Sequence, residues 1–151
     1  MALQHSLAAG PFWKVPCHLP ACVQVGDTEL DHSQCLRAQL DDVTPRIVFK
    51  THPPLVPGAD LLLQASAAFA ASAIALSDPA NTPERNTFVA RLKFKARQLF
   101  DEGQKWPGIY SEKLKESAKT YSSNNWQQYG FWAAAWLYRI SGHDADKAVL
   151  F

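Results

Sequence analysis

Surplus charge is what this sequence lacks most. Fifteen Lys and Arg balance fourteen Asp and Glu in 151 residues, for a net charge of +1. No basic stripe runs along the chain, which argues against nucleic acid as a partner. Cysteine is sparse and odd in number: Cys17, Cys22 and Cys35 do not form the paired C-x-x-C of a zinc site. No metal and no cofactor is expected, and a Cys17–Cys22 disulfide stays open. Long hydrophobic runs are also missing. The longest, LLLQASAAFAASAIAL (61–76), is interrupted by Gln64, Ser66 and Ser72 and falls short of the roughly 20 residues of a membrane span. It reads as a buried helix, with no membrane as partner. Residues 1–10 lack the charged start and apolar core of a signal peptide, so the compartment is left open.

Aromatic residues are plentiful, with five Trp, four Tyr and eight Phe, enough to fill a core or to stack on sugar rings. Prolines gather in the first half, at positions 11, 16, 20, 45, 53, 54 and 57, and predict a long loop region over residues 12–57 with short β pieces at 23–25 and 47–50. Residues 58–151 read as helical. Asp60 is the expected N-cap of an inner helix running to Ala75, apolar on nearly every face. A second helix over about 84–104 carries Phe88, Val89, Leu92, Ala96, Leu99 and Phe100 at three- and four-residue spacing, giving one buried and one wet face. A loop with a short helical turn leads to a third helix over about 126–140, again apolar on most sides, which stops at Ser141-Gly142. Trp132 and Trp136 on it read as core. Asp144 is the expected cap of a fourth helix.

Five blocks in order resemble glycoside hydrolase family 9, the endo-β-1,4-glucanases or cellulases. They are VQVGDTELDHSQC (23–35), DDVTPRIVF (41–49), PGADLLLQASAAFAASAIALSDP (57–79), KARQLFDEGQKWPGIYSE (95–112) and YSSNNWQQYGFWAAAWLYRISG (121–142). The resemblance covers about residues 12–151 and leaves 1–11 unassigned. It implies an all-α fold, part of an (α/α)6 toroid, and a β-1,4-glucan substrate.

In that family an aspartate pair activates water while a glutamic acid protonates the leaving oxygen, and the linkage is cut with inversion. Those carboxylates lie in a DAGD block upstream and in a block near the C-terminus, neither of which is in this sequence. Asp41-Asp42 falls at a structural turn and is no substitute. The chain is thus expected to be the middle segment of a catalytic domain, inactive alone, with no catalytic residue of its own. The alternative is a diverged, non-catalytic helical module that binds glucan or a protein. The resemblance implies two substrate contacts, His32 and Tyr121, and turn-stabilising roles for Asp27 and Asp31. It also exposes departures: Leu36 replaces a loop tryptophan and Gln64 replaces a helix glutamate. Some members bind calcium through an Asp-Glu pair at the third helix; here those positions are Gln128 and Tyr129. Calcium favours anionic oxygens, so a tight site is not expected. Members are commonly secreted.

Overall fold

The computed structural model describes residues 24–26, 48–51, 53–119 and 122–144. In chain order they form strands β1 (Gln24–Gly26) and β2 (Val48–Lys50), helices α1 (Ala59–Ala75) and α2 (Pro83–Lys105), a 3-10 turn (Tyr110–Glu112), the single-turn helix α3 (Lys115–Ala118) and helix α4 (Gln127–Ser141). The strands pair antiparallel, with Val25 opposite Phe49.

Each long helix begins and ends for a local reason. The alanine-rich composition of α1 favours helix without demanding a particular face. Gly58 is its N-cap and supplies no side-chain bond, while Asp60 lies inside the first turn. The expectation that Asp60 caps this helix is corrected: its carboxyl is turned into the protein. The start of α2 is better capped, because Thr82 Oγ accepts the Arg85 N–H at 3.4 Å, Pro83 opens the helix and Glu84 sits in its first turn. At the far end of α4, Gly142 adopts φ 66° and donates its N–H to the Tyr138 carbonyl at 2.8 Å, a left-handed stop. The helix expected beyond Asp144 lies outside the described residues.

Helix α1 is the middle element. Its Ala59, Leu63, Ala67 and Ala70 join Ala96 and Phe100 of α2 and Ala133, Ala134 and Leu137 of α4 in one buried cluster. Alanines at the contacts let the backbones approach closely. Ser66, fully buried, donates a hydrogen bond from its hydroxyl to the Ala96 carbonyl at 2.7 Å and ties α1 to α2. The antiparallel α2 returns Gly103 to Leu63, and a Cβ on that glycine would lie 2.9 Å from Leu63 Cγ. Gly130 of α4 also faces Leu63. Trp136 packs partly against the core, but Trp132 is 50% exposed beside Phe131. The reading of Trp132 as core is corrected: it lies on the α4 face turned away from α1.

Candidate functional site

Both inner helices, α1 and α4, begin at the same end of the described fold, and their starts are joined by hydrogen bonds. The Ala59 N–H donates to the Gly108 carbonyl at 3.0 Å, so the segment leaving α2 is tied to the start of α1. Asp60 is fully buried, and its Oδ1 accepts the Tyr110 N–H at 3.2 Å. One residue on, Ser111 Oγ donates to the Ser123 carbonyl at 3.1 Å and accepts the Ser123 N–H at 3.3 Å. The loop entering α4 is thereby stitched to the 110–112 turn. At its end, Asn125 Oδ1 accepts the Gln127 N–H at 2.7 Å, a local substitute for a cap.

Electrostatics single out Asp60. Burial raises its carboxyl pKa above the ordinary 3.8; the Tyr110 N–H, the Ser123 hydroxyl and the N–H groups of the first turn pull it back down, without cancelling the rise. Tyr110 is buried too, and burial, then the Asp60 charge, then Tyr129 push its phenol up. At this junction Asp60 Oδ2 and Ser123 Oγ are inaccessible to water and reach no partner with hydrogen-bond geometry, although the hydroxyl is near enough to act on the carboxyl.

A hollow of about 390 Å³ at the other end of α1 is lined by residues such as Asp78, Asn86 and Lys93. These three are exposed and offer no buried polar group to orient a ligand.

His32 and Tyr121, the expected substrate contacts, lie outside the described residues, as do Asp27, Asp31, Leu36, Asp41, Asp42 and the three cysteines. The described segment following Tyr121, residues 122–126, is the one held by Ser111 through the Ser123 backbone. Calcium does not fit this loop as the structure describes it. Gln128 is exposed and Tyr129 packs against the core, Asn125 Oδ1 is committed to Gln127, and no carboxylate occupies residues 122–129. Among the described residues no group of three or more His, Cys, Asp or Glu could hold a metal, and no helix is long and apolar enough to cross a membrane.

The sequence reading missed the Asp60–Tyr110–Ser111–Ser123 junction. Its only sequence signal was Asp60 directly after Pro57-Gly58-Ala59, which also suits a plain helix start.

Comparison with known proteins places this geometry. Residues 13–149 match the family described as Glycosyl hydrolase family 9. Endoglucanase 15 of Arabidopsis thaliana is 34% identical over 119 residues, 79% of this chain and 23% of that protein. Endoglucanase 3 of Oryza sativa subsp. japonica is 36% identical over 123 residues, again 79% of this chain and 23% of the relative. Among solved structures, an endoglucanase from the termite Nasutitermes takasagoensis superposes with a TM-score of 0.76 at 27% identity, covering 88% of this chain and 30% of that one. The catalytic domain of Clostridium thermocellum CelT gives 0.69 at 26% identity, over 87% and 26%. This chain therefore spans less than a third of each of these proteins. The run of inner helix α1, outer helix α2 and inner helix α4 is part of the (α/α)6 toroid of those enzymes, and with sequence and fold in agreement the chain belongs to glycosyl hydrolase family 9.

Proposed function

We propose that this chain is a segment of a hydrolase of β-1,4-linked glucan, an endoglucanase, and that it builds part of the sugar cleft without the reacting carboxylates. In this reading residues 12–151 are a partial catalytic domain, loop-rich over 12–57 and helical over 58–151, with residues 1–11 outside it. The observation that carries the reading is the match over residues 13–149 to proteins named as endoglucanases.

The loop before α4 and the loop region before α1 are the parts of this segment assigned to the glucan path. His32 contributes a ring nitrogen to sugar hydroxyls. Tyr121 contributes an aromatic face and a hydroxyl, the two features that suit a sugar. The aspartate pair and the acid that the family's inverting chemistry requires are supplied outside this segment, so the chain alone leaves β-1,4 bonds intact.

The test has two arms. The purified chain is assayed on a soluble cellulose derivative, where no release of reducing ends is expected. Residues 13–149 are also exchanged for the matching segment of an active family 9 catalytic domain. The chimaera is expected to hydrolyse the glucan, with His32→Ala and Tyr121→Phe each lowering kcat/KM roughly tenfold, as for loss of a hydrogen bond to substrate. Hydrolysis by the chain alone, abolished by Asp41→Asn or Asp42→Asn, would overturn this reading.

A further inference from the structure

The segment from Gly108 to Ser111 is fastened at three places. The Gly108 carbonyl accepts the Ala59 N–H at 3.0 Å, and the Tyr110 N–H donates to Asp60 Oδ1 at 3.2 Å. Ser111 Oγ exchanges two hydrogen bonds with the Ser123 backbone. The first two fasten the segment to the start of α1, the third to the loop entering α4. Only the second uses a group whose charge depends on pH.

That group is badly placed as an anion. Asp60 is 0% exposed, and its Oδ2 is buried without a hydrogen-bond partner. An ionised carboxylate with a bare buried oxygen is far more costly than its neutral acid. The N–H groups of the first turn of α1 and of Tyr110 favour the anion, but burial outweighs them and the carboxyl titrates above the ordinary 3.8. Its titratable neighbours among the described residues are Tyr110 on the 3-10 turn and, beside that ring, Tyr129 on α4. A phenol is uncharged over the range in which carboxyl groups titrate, so neither neutralises the anion. Relief comes only from water. Helix α1 carries the core, which leaves the short 108–111 segment as the cover that can move.

We propose that Asp60 is a proton-controlled latch: as the neutral acid it keeps the 108–111 segment closed on the start of α1, and on ionising it promotes opening of that segment toward water. Opening exchanges the Tyr110 contact for water at both carboxyl oxygens. Ser111 moves with the segment, so the loop entering α4 is released in the same step. Packing of Tyr110 with Leu61 and Leu62 opposes the motion, so the charge sets how often the segment opens and leaves α1 folded. Proton linkage fixes the direction. Between the ordinary carboxyl value and the raised one, the closed form binds more protons than the open form. Closure is strongest below 3.8, weakens by up to about tenfold per pH unit through that interval, and is level above it. The latch does not depend on what the cleft binds.

The experiment uses the full 151-residue chain at low micromolar concentration, and its variant Asp60→Asn, which keeps an acceptor for the Tyr110 N–H and carries no charge. Hydrogen exchange is read by mass spectrometry over residues 108–112, 122–126 and 64–71, from below pH 3.8 to neutrality, and corrected for intrinsic exchange rates. The carboxyl carbon resonance of Asp60 gives its titration midpoint in the same buffers. In the unmodified chain, protection over 108–112 and 122–126 is expected to fall about tenfold for each pH unit by which that midpoint exceeds the ordinary value. Residues 64–71 should stay protected. Asp60→Asn is expected to keep the low-pH protection throughout; should it fail to fold, the match between exchange and carboxyl titration in the unmodified chain decides. A midpoint at or below 3.8 would overturn the latch, as would protection that stays flat or rises with pH. The same fall in Asp60→Asn would overturn it too, and so would loss of protection over 64–71 in step with 108–112.

Discussion

Single residues carry unusual constraint at the start of α1. Gly108 holds φ +133°, and a Cβ there would lie 2.7 Å from Pro57 Cβ, so strain and overlap act together. Gly108→Ala is expected to lower stability by about 1–3 kcal/mol, read from urea unfolding. At Gly103 two effects oppose each other. Alanine gains about 1 kcal/mol in helix propensity, but its methyl would meet Leu63 Cγ at 2.9 Å, and Leu63 is fully buried with no room to swing. Overpacking of this kind costs about 1–3 kcal/mol, so Gly103→Ala should be net destabilising. Asp60 gives a pH signature. Its folded pKa is raised by burial above 3.8, so between those two values the folded state binds more protons than the unfolded one. Its contribution to stability is complete below the ordinary value and falls as pH rises through the raised one. Melting temperatures of the wild type and Asp60→Asn, compared across that range, should show the wild type losing ground as pH rises; a relative gain would contradict the burial argument.

Among the elements, α1 shows why composition matters more than a hydrophobic stripe. It is flanked by α2 and α4, and small side chains at both contacts set how near they come. Ala67 is 0% exposed, whereas its neighbour Ala68 is exposed. Ala67→Leu is expected to cost about 1–3 kcal/mol and Ala68→Leu under about 0.5 kcal/mol, a contrast that chemical denaturation measures directly. The loop entering α4 makes a second prediction. With Gln128 and Tyr129 where calcium-binding relatives are expected to have carboxylates, and Asn125 Oδ1 already engaged, millimolar calcium should leave the melting curve unchanged. A calcium-dependent rise in the unmodified chain would refute that; a rise confined to Gln128→Asp, Tyr129→Glu would support it.

At the scale of the whole molecule, the described fold leaves large apolar side chains in water. Phe94 is 66% exposed, Phe131 52%, Phe88 51% and Trp132 50%. Phe131 and Trp132 are consecutive residues of α4, each about half exposed, and exposed apolar surface of this kind promotes association. The isolated chain is expected to self-associate with rising concentration in sedimentation velocity, and Phe131→Gln, Trp132→Gln to reduce that association without a large change in melting temperature. A monodisperse wild-type monomer across the concentration series would contradict this.

The sequence alone was enough to locate α1, α2 and α4 within a residue or two, because alanine content, three- and four-residue apolar spacing and the Ser141-Gly142 stop are local signals. The order of its motif blocks likewise sufficed for the family. Tertiary structure decided which of several apolar faces is buried. Trp132 and Trp136 have the same spacing logic, yet only Trp136 packs partly on the core, since the direction of α1 is not written in the helix that meets it. Asp60 makes the same point for a polar residue. From sequence it is an ordinary carboxylate at a helix start. Only the return of the 110–112 turn and the 122–126 loop to that end of α1 makes it a buried group that accepts the Tyr110 N–H, because its environment is built by residues distant in the chain.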